Sequence, residues 1–96
     1  MVKVVATNFV QEEKSSEFLE LVEELIELTK AKDEGCIKYE LYQDSENANL
    51  FTFIEEWESR KCLDKHIDSK HFKTLVPLLH GFLAKEGTLN IYKRVL

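Results

Sequence analysis

Two segments of the chain carry apolar side chains on both phases of a two-residue alternation, and no other feature restricts the fold as much. In residues 2–11, Val2, Val4, Ala6, Asn8 and Val10 share one phase, and Val5, Thr7 and Phe9 share the other. In residues 50–57, Phe51, Phe53 and Trp57 fall on one phase and Leu50 and Ile54 on the other. Successive side chains of a strand point to opposite faces, so strands of this kind need cover on both sides. A layer of helices covers one side, and a second subunit is the expected cover for the other.

The segments between and around them supply the helices. Phe18, Leu19, Val22, Leu25, Ile26 and Thr29 recur at helical spacing after Ser15 and Ser16, which are candidate caps. Glu20, Glu23, Glu24 and Glu27 give that helix a solvated face, with Lys30 and Lys32 near the end that favours cations. Gly35 marks the exit, and Ile37, Tyr39 and Leu41 alternate with Lys38, Glu40 and Tyr42 in a strand over residues 36–43. The polar stretch 44–49 then turns the chain into the strand at 50–57, making a hairpin. Ser59 is placed to cap a short helix containing Cys62, Leu63 and His66, and Asp68 or Ser69 to start a longer one. The stripe Phe72, Leu75, Val76, Leu79, Phe82 and Leu83 runs along that longer helix, with Pro77 off the stripe beside Lys73 and His80. Leu89, Ile91 and Val95 form a final strand after Gly87. The order β, α, β, β, α, β predicts an α+β sandwich with a four-stranded antiparallel sheet, as one domain spanning residues 1–96.

Charge and composition narrow the partners. Thirteen Lys and Arg against eighteen Asp and Glu give a net charge of −5, the wrong sign for holding phosphate backbones or anionic lipid. No apolar run approaches the ~20 residues that span a bilayer, and the start MVKVVATNFV lacks the pattern of a secretory signal, so a cytoplasmic location is expected, with no nucleic-acid or membrane partner. Cys36 and Cys62 stand alone, without a metal-binding or redox spacing, and both are expected to be reduced and dispensable.

The strings EGCIKYELY at 34–42, FIEEWES at 53–59 and LDKHIDSKHF at 63–72 resemble, in that order and spacing, the antibiotic biosynthesis monooxygenase domain family. The resemblance covers nearly the whole chain. It implies a ferredoxin-like βαββαβ subunit whose sheets pair into a dimeric α+β barrel, and a pocket between sheet and helices that takes a small molecule. Many members of that family are cofactor-free monooxygenases or quinol oxidases. By the same resemblance Trp57, His66, His71, Phe72 and Asn8 are site residues. The haem-degrading branch, as aligned, places its axial His at Val76, and the polyketide anthrone oxidases place an Asn at Phe53. Neither residue is present here, so those two substrates are not expected.

Each candidate has a plain structural alternative. His66 is suited to act as a base, since imidazole titrates near neutrality, or to cap the helix it ends. Asn8 on an apolar phase either braces the sheet or donates to a polar guest, because a buried amide left unbonded costs about 1–3 kcal/mol. Trp57 is core or pocket wall, and Tyr39 an ordinary strand residue or part of the pocket. His66 and His71 on one continuous helix would point about 140° apart. Only a break near Ile67 and Asp68 would bring them together, no third ligand is apparent, and no metal site is expected. The sequence also lacks glycine-rich nucleotide loops and a serine-nucleophile motif.

The function this supports is cofactor-independent oxidation of a small electron-rich aromatic or enolic, quinol-like compound. His66 is the expected base and Asn8 the oxyanion donor, with Trp57, Phe72, His71 and Tyr39 around the substrate. The alternative on the same dimeric barrel is a non-oxidative isomerase or a small-ligand-binding protein.

Overall fold

In the computed structural model, which describes residues 1–96, the chain runs through five strands and three helices. In order they are β1 (Val2–Val10), α1 (Ser15–Lys32), β2 (Cys36–Gln43), β3 (Leu50–Trp57), α2 (Arg60–Ile67), α3 (Lys70–His80), β4 (Leu83–Lys85) and β5 (Leu89–Lys93). The sheet order is β2-β3-β1-β4, with β5 also paired to β1, and every pairing is antiparallel. This is the expected ferredoxin-like α+β sandwich, with the two inner positions taken by the strands that are apolar on both phases.

The fourth position of the sheet differs in detail from the single strand predicted. β5 pairs with Val2–Ala6 of β1, and β4 pairs with Phe9 and Val10, so one edge is occupied by two segments. Between them the chain bulges at Gly87, where a Cβ would lie 1.9 Å from the Thr7 carbonyl oxygen. Thr7 bridges the interruption: its N–H donates to Thr88 O at 2.8 Å, and Thr88 N–H donates to Thr7 Oγ1 at 2.7 Å. Gly87→Ala is therefore expected to destabilise by about 1–3 kcal/mol, the usual cost of overpacking, and a chemical denaturation midpoint at or above that of the native chain would refute the close approach.

Two helix boundaries also depart from expectation. Neither Ser15 nor Ser16 caps α1; a 3-10 turn at Glu12–Lys14 leads into it, and Ser15 Oγ donates to Glu12 O. The apolar stripe of α3 does not continue to Leu83, because the helix ends at His80 with Gly81 as its cap, and Leu83 begins β4. Ser59 and Ser69 do cap α2 and α3, accepting from Cys62 N–H and Phe72 N–H.

The core lies between the helices and one face of the sheet. Register places Val4 and Ala6 of β1 opposite Glu55 and Phe53 of β3, and Tyr39 and Leu41 of β2 opposite the same two residues, so all six point to the helical side. Val10, Phe51 and Trp57 of the sheet, Phe18, Val22 and Leu25 of α1, Leu63 of α2 and Leu75 and Leu79 of α3 complete the buried cluster. The other face of the sheet carries Val5, Phe9, Leu50 and Ile54, which are half-buried, and exposed Tyr42 and Tyr92. No helix is long and apolar enough to cross a membrane.

Candidate functional site

The core between sheet and helices holds four buried polar residues: Asn8 and Glu55 on the inner face of the sheet, Thr29 on α1 and His66 near the end of α2. Two of the four, Glu55 and His66, gather around Trp57, which is 0% exposed. The Trp57 indole N–H donates to Glu55 Oε1 at 3.0 Å, and its ring lies 4.6 Å from the His66 ring, tilted by 33°. Tyr39 and Phe72 meet His66 edge-on, with centroids 5.1 and 5.0 Å away.

His66 is 1% exposed. Its Nδ1–H donates to Asp33 Oδ2 at 2.6 Å, and the Nε2–H of His71 donates to the same oxygen at 2.8 Å. The break between α2 and α3 makes this possible, bringing ring centroids that one helix would hold apart to 6.0 Å. Asp33, at the exit of α1, is the third member that sequence spacing left out. Its carboxylate fixes the His66 tautomer, leaving Nε2 as the lone-pair nitrogen, and Nε2 has no hydrogen-bond partner. Burial lowers the His66 pKa below the usual imidazole value, against the opposing pull of Asp33, so the ring is neutral at pH 7.

The donor atoms of Asp33, His66 and His71 lie within 4.8 Å of one another, a set able in principle to hold a divalent ion. The expectation that no third ligand exists is thus corrected. An ion at that point would have to replace both N–H protons that now satisfy Asp33, and the donor set is explained by its own hydrogen bonds.

Beside this cluster, between the sheet and helices α1 and α3, lies a cavity of about 90 Å³. Ala6, Leu25, Phe53, Phe72, Val76, Leu79 and Leu89 give it apolar walls, and Asn8, Tyr39, Glu55 and the exposed His80 supply its polar groups. Asn8 Nδ2 makes only long bonds, 3.3 Å to Ala6 O and 3.5 Å to Phe51 O, and so retains donor capacity. Burial holds the Tyr39 hydroxyl well above its ordinary pKa, with the Glu55 charge adding to it, so Tyr39 is a neutral donor. Burial also raises Glu55 to a pKa of about 7, only partly offset by the Trp57 hydrogen bond.

Of the residues singled out from sequence, Asn8, Tyr39 and Phe72 line the cavity. Trp57, His66 and His71 do not; they stand behind Tyr39 and Phe72, where Trp57 braces Glu55 and His66, and His71 shares Asp33. Glu55 and Asp33 were missed. The strand phase Phe51, Phe53, Glu55, Trp57 was a usable signal for Glu55, since a carboxyl there must point inward.

Comparison with known proteins gives a consistent match. The family described as antibiotic biosynthesis monooxygenase matches residues 1–78. The protein sll1783 of Synechocystis is 37% identical over 91 residues, which is 94% of this chain and 61% of that one, so the chain spans about three-fifths of this relative's length. Among solved structures, a conserved protein from Methanosarcina mazei Go1 is 47% identical with a TM-score of 0.93, over 98% of this chain and 92% of that one. A structure named antibiotic biosynthesis monooxygenase is 36% identical with a TM-score of 0.92 over the full length of both.

Proposed function

Because the chain belongs to the antibiotic biosynthesis monooxygenase family, we propose that it is a cofactor-independent monooxygenase acting on a small electron-rich aromatic or enolic, quinol-like compound. The observation that carries this reading is the apolar cavity whose polar wall is an amide, a neutral phenol and a carboxyl. Such a site binds a flat apolar molecule and orients its oxygens. We assign the base to His66, whose Nε2 is the lone-pair nitrogen in the tautomer held by Asp33; to take a substrate O–H or C–H proton it requires the Tyr39 and Phe72 rings, which stand between it and the cavity, to move aside. Asn8 Nδ2 donates to the oxyanion that results. The deprotonated substrate is the reductant of dioxygen, which no protein group needs to activate. Measuring oxygen uptake over a panel of quinols, catechols and enolisable ketones tests the reading. Turnover of any of these without oxygen consumption would instead assign the cavity to non-oxidative chemistry.

We also infer a homodimer built on the outer face of the sheet. Val5 and Ile54 are directly paired across β1 and β3, with Phe9 and Leu50 paired two steps further on, which makes an apolar strip flanked by Tyr42 and Tyr92. Phe53, on the opposite phase, points into the core, so it is Ile54 that tests the assembly. Native protein should sediment as a dimer at micromolar concentration and Ile54→Asp as a folded monomer; a native monomer would remove the inference.

A further inference from the structure

Glu55 is the one carboxyl on the inner face of the sheet, 6% exposed, and it lines the cavity. Its two oxygens are not equivalent. Oε1 accepts the Trp57 N–H at 3.0 Å, whereas no protein donor is bonded to Oε2. No Lys or Arg is paired with it: β1 presents Val4, α1 presents Leu25, β2 presents the neutral Tyr39 and Cys36, whose pKa values Glu55 itself helps to raise, and α3 presents His80. A carboxylate in such surroundings is stabilised by hydrogen-bond donors alone, and the chain supplies one where a carboxylate accepts several. Oε2 is accessible from the cavity, so its donor is water in the absence of a guest and is open to replacement by a guest hydroxyl.

We propose that Glu55 is the substrate-anchoring acceptor of the cavity, its Oε2 taking the O–H of a second hydroxyl, so that the substrate class is the dihydroxy ring or enediol and not the monophenol. This rests on the reading of the cavity as a substrate site. Trp57 is then a positioning residue: by occupying Oε1 it turns Oε2 towards the cavity, and by stacking on His66 it holds both groups in one frame. A site built to bond a hydroxyl rejects the analogue lacking it, because its own buried polar atom is left unpaired.

The probes are hydroquinone and 4-methoxyphenol, which differ by one O–H, bound anaerobically to the full chain and followed by calorimetry at pH 8. Hydroquinone should bind at least about 10-fold more tightly, as expected for a hydrogen bond to a charged group. Glu55→Gln should bring the two affinities within about two-fold. Trp57 is the only tryptophan, so its indole N–H resonance reports the same contact in unmodified protein: hydroquinone should shift it and 4-methoxyphenol should not. Equal affinities in native protein, or a preference that survives Glu55→Gln, would overturn the proposal. If that happens while His66→Ala abolishes turnover, the monooxygenase reading stands without it; if neither compound binds native protein, both fall.

Discussion

Glu55→Gln is expected to raise the free energy of unfolding by about 3 kcal/mol at pH 8 and to change it little at pH 4. The carboxyl titrates near its ordinary 4.5 in the unfolded chain and at about 7 in the folded one. Between those values the folded state holds a proton that the unfolded state has released, so stability falls as pH rises through this window and is flat above it. At about 1.4 kcal/mol per pH unit, the rise from 4.5 to about 7 amounts to roughly 3 kcal/mol. Gln is neutral at every pH and still offers Oε1 to the Trp57 N–H, so the variant loses the penalty and keeps the bond. His66 works in the opposite direction, since its lowered pKa gives stability that is present above pH 6.5 and lost as pH falls. Urea denaturation of native and variant protein at equal concentration, from pH 4 to 8, isolates the Glu55 contribution as their difference. A difference that is independent of pH would show that Glu55 is not buried as a titrating group.

Sequence patterning stops where long-range packing, and not local alternation, decides the structure. Periodicity located β1, β2 and β3 within a residue of their ends, because apolar alternation and turn residues act locally, and Ser59 and Ser69 marked the starts of α2 and α3 for the same reason. It overran at the end of α3, where Phe82 and Leu83 continue the helical stripe in sequence while Gly81 ends the helix in space. It treated the last strand as one piece, because the Gly87 bulge answers to the Thr7 carbonyl eighty residues away. Asp33 shows the same limit more sharply. Nothing in its spacing links it to His66 and His71; only the packing of the α1 exit against the α2–α3 break joins them. Glu55 was different, since strand phase alone points it inward beside Trp57.

His66→Ala is expected to lower turnover by roughly 10²-fold or more, the usual contribution of a positioned base. The base has to be neutral to accept a proton, and burial holds the His66 pKa below the ordinary 6.5, so the rate should climb with pH along a limb lying below that value. A second limb near 7 belongs to Glu55 and should vanish in Glu55→Gln while the lower one remains. Asp33→Asn separates orientation from chemistry. Asparagine can offer its amide N–H to Nδ1, which favours the tautomer with the proton on Nε2 and removes the acceptor, so turnover should fall even though the imidazole is intact. His71→Ala leaves the Asp33–His66 bond in place and should cost less than either. Asn8→Ala should reduce turnover by about 10²-fold without moving either limb, because an oxyanion donor does not titrate. Unchanged turnover in His66→Ala, with the oxygen stoichiometry preserved, would pass the proton to Glu55, the buried carboxyl on the cavity wall whose pKa burial raises to about 7.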